Sequence, residues 1–168
     1  MQIANYAIAL VVGISMGVGA VEVSSVQKEN GKSSDLLQGD KLTAPELKKM
    51  AEGLGYDVKD LNSEPGKEKY EVPTKTDKLN IPVSLEVSPS GNYVWLTVNL
   101  GNNAPTKKHE EMLKSNANTQ PTFMYITAKG NVMAAHPIDS RQISPAILKR
   151  CLDKIVADVD KTTSIWQN

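Results

Sequence analysis

Charge is missing from the first twenty residues and is balanced everywhere after them. Met1 to Ala20 holds no Asp, Glu, Lys or Arg, and the 19 basic and 19 acidic side chains that follow cancel. A neutral chain has no field to steer it onto a polyanion, and no basic run exceeds two residues. Nucleic acid is therefore excluded as an expected partner.

Cysteine is almost absent. Cys151 stands alone, so no internal disulfide can form and stability must come from packing. It falls among Leu148, Leu152 and Ile155 on an apolar helix face, where a thiol acts as a small buried hydrophobe. A reactive or intermolecular thiol is the competing reading. The two histidines are equally sparse. His109, His136 and Cys151 follow one another at intervals of 27 and 15 residues, which fits no zinc pattern. Asp57 and Asp60 lack the spacing of a calcium loop. Gly53-Leu54-Gly55 follows a helix, with no Lys-Ser/Thr after it, so it is not a phosphate loop. Hydrolysis needs a nucleophile, a base and an orienting group, or a bound metal. A thiol–imidazole pair of Cys151 and His136 is conceivable, but no flanking signature supports one. The expectation is a protein without catalytic residues, metal or cofactor.

What the opening segment does have is an apolar run, Ala7 to Val18, ending in Val18-Gly19-Ala20. That is a small-residue pattern a signal peptidase could cut, and it reads as an export signal into the periplasm or beyond. Its n-region offers only the α-amino group. The alternative is an uncleaved membrane anchor, although the run reaches roughly 16 residues where a spanning helix takes about 20. The membrane is a partner only if this segment is retained. Val21 to Asp40 is polar and aperiodic, a flexible leader. The expected organisation is residues 1–20 as signal peptide or N-terminal anchor, 21–40 as leader, and 41–168 as a single α+β domain of ordinary size.

Structure should begin at Thr43-Ala44-Pro45-Glu46, a capping box with Pro in the first turn. Leu47, Met50, Ala51 and Leu54 then form a one-sided helical stripe, and Gly55 is placed to end it at C′. Tyr56-Asp57-Val58 can begin a strand and Lys69 to Val72 another, with Pro65-Gly66 between them as a turn. Ile81, Val83, Leu85 and Val87 alternate with polar residues. Val94, Leu96, Val98 and Leu100 form one face of the next run, and Tyr93, Trp95, Thr97 and Asn99 the other. These two runs should pair as a hairpin, while Pro73 and Pro82 belong at strand ends or edges. Gly101 to Pro105 should break the sheet. Thr106 to Ala117 reads as a polar helix with i,i+4 pairs Lys107–Glu111 and Glu110–Lys114.

Thr122 to Ala128 and Val132 to His136 form a second hairpin. A two-residue Gly130-Asn131 turn would set Tyr125 opposite His136 and Ile126 opposite Ala135, with Pro137 ending the strand. Ser144-Pro145 caps the last helix, with Ile143 and Leu148 placed as a staple. Ile147, Leu148, Cys151, Leu152, Ile155, Val156 and Val159 give that helix a wide apolar stripe, which must cover a sheet or a partner. The fold expected is a two-layer α+β sandwich in the order α-β-β-β-α-β-β-α. A mainly antiparallel five-stranded sheet carries its helices on one face.

Trp95 then lies on the face the helices leave bare, with Tyr93 beside it, and an aromatic there packs an interface or shields a wet sheet. The candidate binding surface is Tyr93, Trp95, Tyr125 and His136, for a protein or peptide partner that could be a second copy. A closed pocket lined by Trp95, Tyr125 and His136 would instead indicate a small-ligand carrier or an enzyme.

The helix Leu42-Thr43-Ala44-Pro45-Glu46-Leu47 ending Leu54-Gly55-Tyr56 carries a resemblance. So do the hairpin Val83 to Glu86 with Val94 to Val98, and the closing amphipathic helix. In order and pattern the chain resembles the type III secretion chaperone-like fold, including YbjN-type and Tir-chaperone-like domains, over most of residues 41–165. The resemblance implies a small homodimeric binding protein that holds client polypeptide segments and has no catalytic residues.

Overall fold

In the computed structural model, residues 41–103 and 108–167 are described. The export-signal and leader segments lie outside them, as do Lys107 and the expected helix start at Thr106. Helix α1 (Ala44–Gly53) opens on the expected capping box: Glu46 N–H reaches the Thr43 hydroxyl while the Glu46 carboxylate accepts from Thr43 N–H at 2.8 Å. It closes as a Schellman motif, Tyr56 N–H to the Ala51 carbonyl and Gly55 N–H to the Glu52 carbonyl. Gly55 takes φ +88°, a backbone conformation open to a residue without a Cβ.

The sheet has six strands, one more than expected: β1 (Lys59–Asn62), β2 (Lys69–Lys75), β3 (Asn80–Val87), β4 (Tyr93–Asn102), β5 (Phe123–Ile126) and β6 (Asn131–Asp139). Their spatial order is β1-β2-β3-β4-β6-β5, with every neighbouring pair antiparallel. The strand read as beginning at Tyr56-Asp57-Val58 starts instead at Lys59 as β1, which is exposed along its whole length and so carries no hydrophobic alternation to fix its ends. A Lys48–Asp60 ion pair of 2.8 Å links it to α1.

Strands β2, β4 and β6 run past their expected ends, β2 and β6 through prolines and β4 through a glycine. Pro73 and Pro82 face each other inside β2 and β3. The ladder with β1 ends at Glu71 and the ladder with β4 ends at Ser84, so neither missing N–H breaks a pairing on its outer side. Pro137 likewise lies in β6 opposite Trp95, beyond the point where β5 stops at Ala135. Gly101, expected to break the sheet, instead takes φ +92° at an irregularity between Asn99 and Asn102, and β4 goes on to pair Asn102 with Asn131. That is a bulge rather than an end.

One face of the sheet is covered. Helix α1 lies over β2 and β3, α3 (Pro145–Lys161) over β3 and β6, and α2 (His109–Thr119) beside β5. Val72, Val83, Leu85, Val94, Leu96 and Val132 point into this layer and meet Leu47, Leu148, Leu152 and Ile155, all of them fully buried. Ser144 caps α3 with Pro145 behind it. Short α4 (Thr163–Trp166) follows a break at Thr162, and the Trp166 indole N–H bonds the Val159 carbonyl at 3.0 Å.

Leu96→Ala and Leu152→Ala should each lower the unfolding free energy by about 2–5 kcal/mol in urea titrations. Thr43→Ala should lower it by about 1 kcal/mol.

Candidate functional site

The alternation that buries Val94, Leu96, Val98 and Leu100 turns Tyr93, Trp95, Thr97 and Asn99 to the other side of β4. Among the described residues no helix covers that side. Across it runs a chain of rings. Tyr93 and Trp95 are 6.2 Å apart between centroids, Trp95 and Phe123 6.4 Å in a T-shaped contact, and Phe123 and Tyr125 5.8 Å. Edge and tilted contacts at these distances are the favoured geometries for aromatic pairs. The row spans β4 and β5 although β6 separates them. It can do so because β6 presents Ala135 there, in register with Thr97 on one side and Phe123 on the other. Ala135 is only 1% exposed yet lies outside the helix-side core. The rings bury it.

Trp95, Phe123 and Tyr125 line a groove of about 630 Å³, whose lining also includes Asn99, Asn131, Lys129 and the Lys69–Glu86 pair, the last at 3.7 Å. Tyr93 and Tyr125 stay largely exposed, while Trp95 and Phe123 are half-buried. At the far side of Tyr125, Met112, Leu113, Met124 and Ile126 line a smaller apolar depression of about 290 Å³. The free edge of β5 is blunted between them. The Asn116 side-chain amide bonds both the N–H and the carbonyl of Met124, at 2.8 and 3.2 Å, which removes a template for strand addition.

Three of the four residues named from sequence, Tyr93, Trp95 and Tyr125, meet on this face. His136 does not. The β5–β6 loop has three residues, Ala128 to Gly130, with Thr127 N–H bonded to the Asn131 carbonyl and Gly130 at φ +78°. Tyr125 therefore pairs with Met133, and Ile126 with Val132. The shift from the expected register is an odd number of residues, and any odd shift exchanges the two faces of a strand. Phe123 was the residue missed. It sits two positions before Tyr125, so strand alternation alone could have placed it on the same face.

His136 is instead buried beneath the helices, opposite Leu96. Its Nδ1 lies 3.0 Å from the Thr122 hydroxyl. Nearby the Lys154 ammonium donates to the Asp158 carboxylate at 2.6 and 2.7 Å and to the Thr119 carbonyl at 3.0 Å. Burial pushes the imidazole below its ordinary value, the Lys154 charge adds to that, and Asp158 opposes it. Cys151 is also buried, and loss of solvation raises its thiol pKa, as suits a packing residue. His109 lies on α2, its Nε2 against the Asn103 side-chain oxygen. Among the described residues no group of three His, Cys, Asp or Glu side chains could hold a metal ion, and no helix is long and apolar enough to cross a membrane.

Among the described residues these features define a two-layer α+β domain with one helix-covered sheet face and one bare aromatic face. No protein-family model matches the chain, and no curated protein matches it. In fold the chain is similar to type III secretion chaperones. One similar solved structure is a chain of the HopA1–SchA chaperone–effector complex, with 13% identity, a TM-score of 0.47, and coverage of 80% of this chain and 94% of that one. Another is the Yersinia pestis type III secretion chaperone SycH in complex with a stable fragment of YscM2, with 16% identity, a TM-score of 0.46, and coverage of 71% and 95%.

The buried imidazole makes stability depend on pH. Its folded-state pKa is lowered, so the unfolded state takes up the proton first. Stability present above about pH 6.5 should be lost as the pH falls through the lowered folded-state value. Urea midpoints measured from pH 7.5 to 5 should fall for the wild type and fall less for His136→Gln.

Proposed function

We propose that this protein is a non-enzymatic binding module that holds a polypeptide segment against its bare sheet face, working in the periplasm or outside the cell. The observation that carries the reading is the unbroken row Tyr93–Trp95–Phe123–Tyr125 across an uncovered sheet. Rings supply large apolar contact area and lose little rotamer freedom, which is why Trp and Tyr dominate binding hot spots. The amides of Asn99 and Asn131 and the charges at the rim surround the rings with groups suited to a peptide backbone. Export follows from the apolar opening segment with its Val18-Gly19-Ala20 end. Pairing with a second copy follows from the family resemblance in the sequence. A closed pocket lined by Trp95, Tyr125 and His136 would favour a small-ligand carrier or enzyme, and His136 lies across the sheet from the other two.

Peptides selected from a random library on the purified domain should bind the wild type and lose at least about tenfold in affinity, near 1.4 kcal/mol, to Trp95→Ala or Phe123→Ala. Selected peptides that bind these variants equally well would place the binding elsewhere. Light scattering behind size-exclusion chromatography should give about twice the monomer mass, and amino-terminal sequencing of exported protein should begin at Val21.

A further inference from the structure

The groove has two walls of different mechanical character. Trp95 and Thr97 stand on β4, hydrogen-bonded between β3 and β6. Phe123 and Tyr125 stand on β5, four residues long and at the sheet's edge. The chain enters β5 from the end of α2 through Thr119 and Thr122, and the Thr122 N–H bonds the Thr119 carbonyl at 3.0 Å. Both threonines are buried. Beside the β5–β6 ladder that begins at Phe123, two side-chain ties hold this corner: the Thr122 hydroxyl on His136, and the Lys154 ammonium on the Thr119 carbonyl.

One carboxylate, that of Asp158, accompanies those ties. The charged groups facing His136 are Lys154 and Asp158, both from α3. On that helix's buried face Cys151 is the other titratable group, and its raised pKa keeps it neutral. The side chains that β4 turns inward are Val94, Leu96, Val98 and Leu100. Met124 points the same way from β5, and α2 adds Met112, Ser115 and Thr119. None of these titrates. A proton on His136 therefore sets a buried cation near the half-exposed Lys154 ammonium, whose buried carboxylate partner Asp158 is already engaged.

From this geometry we infer that His136 is an acid-sensitive catch: its protonation releases the Thr119–Thr122 corner and with it the Phe123–Tyr125 wall of the groove. The catch regulates the surface to which the proposed function assigns binding, and its role in that function rests on that reading. The lowered imidazole pKa agrees with it in sign, since the closed state prefers the neutral ring. Each pH unit below about 6.5 should multiply the open population by up to about tenfold, until the closed-state midpoint is passed.

The test needs no ligand. Hydrogen exchange of residues 119–126, corrected for intrinsic rates, should accelerate between pH 7 and pH 5 in the wild type and not in His136→Gln. The NMR contact between the Trp95 and Phe123 rings should weaken over the same range. Lys154→Met, which leaves Asp158 free to pair with the imidazolium, should raise the His136 midpoint, giving a second readout should the glutamine variant fold poorly. Unchanged exchange at 119–126, equal acceleration in His136→Gln, a ring contact indifferent to pH, or an unmoved midpoint in Lys154→Met would each overturn the catch. Peptides that fail to bind at any pH would sink the proposed function, while the exchange result would still decide the catch.

Discussion

Burying Val94, Leu96, Val98 and Leu100 beneath the helices leaves β4 no freedom about its other side. A strand places successive side chains on opposite faces, so the burial that stabilises the domain also presents Tyr93 and Trp95 outward. β3 and β2 obey the same rule, with Val83, Leu85 and Val72 inward. The apolar stripe of α3 needs a partner surface, and this aliphatic layer is that surface. One layer thus builds the core and the candidate binding face together.

The second constraint is size on β6. Rings on β4 and β5 can meet only if the strand between them stays low, and Ala135 is the small residue at the crossing. Its burial by Trp95 and Phe123, outside the main core, ties the bare face to the stability of the sheet. A bulkier side chain there would part the rings and divide the groove. The edge of β5 shows a different economy. Asn116 supplies from a helix the two hydrogen bonds that another strand would supply, so the edge is closed while the rings stay open.

How much of this was legible beforehand varied with the range of the interaction involved. The capping box at Thr43, the Schellman end at Gly55 and the Ser144-Pro145 start are local, and each could be read from a few adjacent residues. The alternation in β3 and β4 was equally plain. The first strand was placed three residues early, at Tyr56-Asp57-Val58, because an exposed edge strand has no hydrophobic pattern to fix its ends. Pro137 looked like a strand end because its tolerance depends on where a neighbouring strand stops, and Gly101 because a bulge, like an end, calls for a glycine at positive φ. Phe123 could have joined the candidate surface by the alternation already applied to Tyr125.

His136 marks where local reading ends. Sequence alone determined that a strand contains it, that the helices start and stop near their observed limits, and that Tyr93 and Trp95 share a face away from the aliphatic layer. These are consequences of side-chain periodicity and backbone capping, which act within a few residues. The tertiary structure decided which face His136 occupies, because one added residue in the β5–β6 loop shifts the register and turns the strand over. It also decided that Lys154 and Asp158 come to lie beside that imidazole. Their placement follows from how α3 docks on β6, and docking depends on the shapes of two complete surfaces.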